Sequence, residues 1–98
     1  MKKIYIAGKV TGLVDYKARF EAESRRLRTL GYRPVNPTEI IDEGEPWESA
    51  MKTALRAMLE CDGVSLLPDW MNSRGARMEY WLATELGMDV RRTEGWTA

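Results

Sequence analysis

The sequence predicts a three-layer α/β fold built on a short parallel sheet of about four strands. Two observations carry that expectation. Short apolar runs rich in β-branched and aromatic residues alternate with segments of helical periodicity, and short loops into helical crossovers bring each strand back in the same direction. Size is the third: 98 residues, 44% apolar and 31% charged, suffice for one domain spanning residues 1–98 with a single core.

The elements follow in order. Ile4 to Ala7 is an apolar run that stops at Gly8, the pattern of a strand buried on both faces. Gly8-Lys9-Val10-Thr11-Gly12 forms a glycine-punctuated loop, and from Asp15 the spacing of Tyr16, Phe20, Leu27 and Leu30 is helical up to Gly31. Arg19, Arg25, Arg26 and Arg28 stand among Glu21 and Glu23 on this helix and read as a solvated face. Tyr32 to Val35 is a second strand, which Pro34 confines to a sheet edge. A loop from Asn36-Pro37 reaches Pro46, suited to a first helical turn, and Trp47, Met51, Leu55, Met58 and Leu59 mark the second helix. Val64 to Leu67 is the third strand, and Pro68 to Asn72 a loop. Ser73 is an N-cap for a third helix whose stripe runs through Ala76, Leu82, Ala83 and Leu86 to Gly87. Met88 to Arg91 supplies the last strand. Ligands of such sheets sit beyond the carboxyl ends of the strands, which directs attention to the loops after Ala7, Val35 and Leu67.

Composition excludes several functions. Fifteen Lys plus Arg balance fifteen Asp plus Glu, so no global field calls for a nucleic-acid polymer or an anionic membrane. Histidine is absent, which removes Ser-His-Asp and Cys-His catalysis and the commonest zinc ligand. Cys61 is the one cysteine, so no internal disulfide forms, in keeping with a reducing cytoplasm, and packing rather than chemistry is expected of it. Met1-Lys2-Lys3 leads into an apolar stretch too short for a signal peptide or a membrane span, and a cytoplasmic protein is expected.

A few residues stand out. Glu79 shares the apolar stripe of the third helix with Ala76, Leu82, Ala83 and Leu86, and a carboxylate there is either held by a structural hydrogen bond or held for chemistry. Ser73 caps the helix and, with the free N–H groups of the first turn, is also placed to receive an anion. Gly75 permits close approach of a ligand or of a neighbouring element. Gly8 and Gly12 flank a loop whose backbone donors can cradle a phosphate or sugar, although it is neither GxGxxG nor a Walker loop. Asp69 lies just past the third strand on the ligand side, whereas Asp62 lies at the opposite end and is expected to terminate the second helix. Among Trp47, Trp70, Trp81 and Trp96, Trp70 is placed best for stacking on a base, with core packing as the alternative for each.

Lys3-Ile4-Tyr5-Ile6-Ala7-Gly8, Thr11-Gly12, Val35-Asn36-Pro37, Cys61-Asp62 and Ser73-x-Gly75-x-x-x-Glu79 together resemble the nucleoside 2-deoxyribosyltransferase-like superfamily. The likeness is to its small bacterial and phage members related to 2'-deoxynucleoside 5'-monophosphate N-glycosidases. It covers about nine-tenths of the chain, and the serine-to-glutamate segment is its most specific part. It implies a Rossmann-like, flavodoxin-like fold and a nucleoside or nucleotide ligand, with no cofactor and no metal. Glu79 would attack the anomeric carbon of deoxyribose to form a glycosyl ester, which water or a second base then resolves. Tyr5 would position that carboxylate, Ser73 would meet a 5'-phosphate, and the Gly8 loop would line sugar and base. A homodimer or larger homo-oligomer is implied as well.

Two departures bear on this. The active relatives usually carry an aspartate where this chain has Ala54, and that second carboxylate assists the leaving base. General acid assistance is worth about 10²–10⁴ in rate. Lys9 replaces a common proline and either pairs with a phosphate or extends into solvent. Three readings stand: a hydrolase or transferase, a protein that binds or sequesters a nucleotide in the same pocket, and an interaction module with a vestigial pocket.

Overall fold

The computed structural model describes residues 1–98. Along the chain run β1 (Lys3–Ala7), α1 (Tyr16–Thr29), β2 (Arg33–Val35), α2 (Trp47–Leu59), β3 (Gly63–Leu66), α3 (Arg74–Glu85) and β4 (Asp89–Arg92). The strands form one parallel sheet in the order β2-β1-β3-β4, the Rossmann-like α/β architecture that the sequence predicts. Pro34 sits on the edge strand, where its missing N–H leaves no unmet ladder bond toward a further strand.

Alternation along the strands sorts the core into two layers. Tyr5, Ala7, Val64 and Leu66 point toward α2 and α3 and pack with Ala54, Met58 and Ala83. Ile4 and Ile6 point the other way, onto Phe20 and Leu27 of α1 and onto Trp96. The C-terminal residues, which carry no periodic pattern in the sequence, thus close the α1 layer. Trp96 is buried, donates its indole N–H to the Val64 carbonyl at 3.3 Å and meets Tyr32 edge-on at 5.5 Å.

Three local expectations change. Pro46 stands at the N-cap of α2 rather than inside its first turn. Asp62 does not end α2 through its side chain; its carboxylate accepts from the Lys3 N–H at 2.8 Å and ties the start of β1 to that of β3. The arginine face of α1 is only partly solvated. Arg26 pairs with Glu23 at 2.8 Å and also donates to the carbonyls of Thr93 and Trp96, so α1 clamps the C-terminal segment. No helix is long and apolar enough to cross a membrane.

Candidate functional site

At the carboxyl end of the sheet, between β1, α2 and α3, lies a cavity of about 510 Å³, well within the range of small-molecule sites. Its floor is Tyr5, Ala54 and Glu79, and its rim is the Gly8 loop, the 37–45 segment and the start of α3. Ser73 caps α3 through its hydroxyl oxygen, which accepts from the Ala76 N–H at 3.1 Å, and this sets the helix so that Glu79 projects inward.

Glu79 is 5% exposed and accepts a hydrogen bond from the Tyr5 hydroxyl. No cation pairs with it. Burial pushes its carboxyl up to about 8, and the Tyr5 hydrogen bond opposes that rise. The Tyr5 phenol in turn is held well above its ordinary value, first by burial and then by the neighbouring Glu79 charge. A carboxyl so placed exchanges its proton near neutral pH, which suits either a nucleophile or an acid–base group.

Two glycines act through what they leave out. A Cβ on Gly8 would fall 2.6 Å from Leu67 Cδ1, and one on Gly75 would fall 2.9 Å from Met51 Sδ. The first lets the β1 loop close over the end of β3, and the second brings α3 against α2. Both residues line the cavity, as does Ser73.

Four residues singled out in the sequence lie outside the lining. Trp70 opens a 3₁₀ turn that directs its ring onto Tyr80, where the two stack at 4.5 Å between centroids. Asp69 turns toward α1, accepts from the Lys9 backbone N–H at 3.3 Å and stands 3.5 Å from Arg19, so it fastens the Gly8 loop rather than the cavity wall. Lys9 makes that tether through its backbone N–H, and Gly12 is exposed with φ +82°, supplying a turn.

The tryptophan that does reach the cavity is Trp47, with the Arg74 guanidinium 4.0 Å above its ring. From the loop after Val35, in which no single residue stands out by sequence, Asp42, Glu43 and Glu45 line the cavity. A signal existed, since Asp42-Glu43-Gly44-Glu45 is the densest acidic run in the chain and follows a strand at the ligand edge. No group of three or more Cys, Asp or Glu side chains converges as a metal-holding cluster. Cys61 donates to the Ala57 carbonyl at 3.3 Å, and burial pushes its thiol up to about 11, too high for a reactive thiolate.

Comparison with known proteins places the chain. Residues 2–92 match the family model described as "Domain of unknown function (DUF4406)". The chain belongs to that family. Among solved structures, this DUF4406 chain is similar to a 2-desoxiribosyltransferase from Leishmania mexicana, with a TM-score of 0.70 and 21% sequence identity. The match covers 94% of the present chain and 63% of that enzyme, so the two share a fold while the enzyme extends beyond it. No curated protein matches in sequence.

Proposed function

We propose that this DUF4406 protein cleaves the N-glycosidic bond of a nucleoside, with Glu79 as nucleophile. The observation that carries the reading is the buried Glu79–Tyr5 pair on the floor of a nucleoside-sized cavity, in a fold shared with a deoxyribosyltransferase. In the first step an ionised Glu79 oxygen bonds to the anomeric carbon as the carbon–nitrogen bond breaks. The electron pair leaves on the base nitrogen, which takes up a proton from water. In the second step water adds to the anomeric carbon as the ester bond to Glu79 breaks, its proton going to the hydroxide left by the first step, or the nitrogen of a second base does so with the same proton balance and the sugar is transferred. Tyr5 holds the carboxylate in register for attack, and Ser73, the Gly8 loop and Gly75 surround the sugar.

Charge lining sharpens the ligand. The titratable carboxyls of the cavity wall are Asp42, Glu43, Glu45 and Glu79, of which Glu43 pairs with Lys17 at 2.5 Å and Glu79 is favoured in its neutral form by burial, and no Lys or Arg side chain lines the wall, Arg74 lying over the Trp47 ring at its rim. Carboxylates accept hydrogen bonds from sugar hydroxyls and repel phosphate, which favours a free 5'-hydroxyl over a 5'-monophosphate.

One observation favours a second reading, in which the protein binds the nucleoside without cleaving it. Ala54 is 3% exposed on the cavity floor and offers a methyl group where the enzymes of the resembled superfamily usually have a carboxylate. One experiment separates the readings: nucleosides, 5'-monophosphates and cyclic or dinucleotide signals are incubated with the protein while free base and free ligand are followed together. Base release that disappears in Glu79→Gln supports the enzyme. Stoichiometric depletion of intact ligand supports the binder, and neither signal from any ligand refutes both.

A further inference from the structure

When the bond between a sugar and a neutral base breaks, the base nitrogen keeps the electron pair and must take up a proton. The cavity offers no acid for that purpose. No Lys, Arg or Cys side chain lines its wall, and α2 turns only the methyl group of Ala54, 3% exposed, to the floor. The buried acids are Glu79 and Tyr5; the first is the attacking group in the cleavage proposed above, and the second commits its proton to the first. At the rim, the hydrogen bond from Lys17 holds the Glu43 carboxyl below its ordinary value, where it has no proton to lend. General acid assistance is worth about 10²–10⁴ in rate, so a neutral base leaves this cavity at a disadvantage of that order.

The nucleophile and the cavity mouth add two further constraints. Burial favours the neutral form of Glu79, and no cation of the chain stands beside it to ionise it, so a positive charge brought in by the ligand favours the form that attacks. At the mouth, Lys17 offsets Glu43 and Arg74 supplies one more cation, whereas Asp42 and Glu45 have no cationic partner, which leaves the entrance net negative. The Arg74 guanidinium also shows what the Trp47 ring accepts, a flat delocalised cation 4.0 Å from its centroid.

One property of the substrate answers all three. We infer that the preferred substrate, on the reading that Glu79 cleaves an N-glycosidic bond, is a nucleoside whose base is a fixed cation of the N-alkylated purine or pyridinium type. The Glu79 oxygen bonds to the anomeric carbon, the carbon–nitrogen electron pair passes to the ring nitrogen and cancels its positive charge, and the base departs neutral with no proton taken up. Water then adds to the anomeric carbon, the ester bond returns its electron pair to Glu79, and one proton goes to solvent. Before the bond breaks, the same charge draws the ligand to the acidic mouth and favours ionised Glu79.

The test compares nucleosides matched in shape but not in charge, each as riboside and as 2'-deoxyriboside. The pairs are 7-methylguanosine against guanosine in weakly acidic buffer, and nicotinamide riboside against its reduced dihydro form at neutral pH. Base release is followed by chromatography and corrected for release without protein. The cationic member of each pair should show a kcat/KM about 10²-fold or more above the neutral one, the scale of the missing acid catalysis, and should lose its release in Glu79→Gln. Because a charged base is also the better leaving group in water, binding to the inactive Glu79→Gln variant supplies an independent readout. That variant should hold the cationic member more tightly, by a margin that widens as salt falls. Replacing Asp42→Asn together with Glu45→Gln should raise KM for the cationic nucleosides several-fold while keeping kcat, and should leave guanosine affinity in place. Glu79-dependent cleavage of guanosine as fast as that of 7-methylguanosine overturns the substrate assignment and leaves the glycosidic reading standing. Equal affinity of Glu79→Gln for both members of each pair overturns it too. Release of base from no nucleoside, charged or neutral, overturns the assignment together with the reading on which it rests.

Discussion

Two glutamates sit on opposite faces of the same sheet, each 5% exposed, and they are held in opposite ways. Glu23, under α1, accepts from Arg26 at 2.8 and 3.0 Å and from the Ser65 hydroxyl at 2.7 Å. Glu79, under α3, accepts from the Tyr5 hydroxyl and otherwise borders an open cavity. The first carboxylate has a fixed counter-charge and a donor for each oxygen, so its charge is a structural element that ties α1 to β3 and, through Arg26, to the C-terminal segment. The second has neither, and burial raises its proton affinity instead. Equal burial therefore says little about role; the donors around each carboxylate and the space in front of it distinguish the two.

The largest effect expected from breaking this contrast is on turnover. Glu79→Gln keeps the shape and the Tyr5 hydrogen bond but removes the proposed nucleophile, and base release should fall by about 10³-fold or more, equivalent to about 4 kcal/mol of barrier. The ligand-induced rise in Tm should persist in the same variant, and loss of both together would place Glu79 in binding alone.

Next comes the clamp. Glu23→Ala leaves Arg26 and Ser65 without their acceptor and should cost about 2–3 kcal/mol, below the range for a fully buried pair because Arg26 is partly exposed. Chemical denaturation checks this, and the folded fraction should retain its pH profile of turnover, since Glu23 faces away from the cavity.

A smaller effect comes from Tyr5→Phe. The tyrosine hydroxyl opposes the burial of Glu79, so its removal should drive the carboxyl above about 8. The ascending limb of kcat/KM against pH then moves to higher pH, and each unit of movement costs about tenfold at pH 7. An unmoved limb would assign the ionisation to another group.

A slope in stability is expected as well. With the folded carboxyl near 8 and the unfolded one at the ordinary value of 4.5, the folded chain binds a proton that the unfolded chain has released throughout that window. Stability therefore falls as pH rises from about 4.5 to 8. Glu79→Gln should flatten that slope and melt above the wild type at pH 8 by about 4–8 °C per kcal/mol of relief, with the gap closing near pH 5.

Much of this was legible in the chain itself. The β1, α2 and α3 assignments follow from runs such as Ile4 to Ala7 and from the Ala76, Leu82, Ala83 stripe, because a buried face repeats with the period of its element. Ser73 reads as a cap and caps, and Glu79 reads as a carboxylate in an apolar stripe and is one. Other features were not legible. Trp70 and Trp47 stand equally near ligand-side loops in sequence, and only a 3₁₀ turn at Trp70–Asn72 sends the first onto Tyr80 while the helix start at Trp47 leaves the second at the cavity. Asp69 reads as ligand-facing because it follows a strand end, yet its side chain turns to the Lys9 N–H.

The sequence by itself determined the order of elements, the parallel sheet, the placement of the ligand edge and the absence of histidine or disulfide chemistry, since these rest on local periodicity, turn residues and composition. Tertiary structure alone decided what each polar group faces. Whether Glu23 meets Arg26 and Ser65, whether Glu79 meets Tyr5, and whether the Asp42 to Glu45 run reaches the cavity depend on side chains 3 to 74 residues apart being packed together. A carboxylate's charge, proton affinity and chemistry are set by those neighbours, and no pattern of period two or 3.6 encodes them.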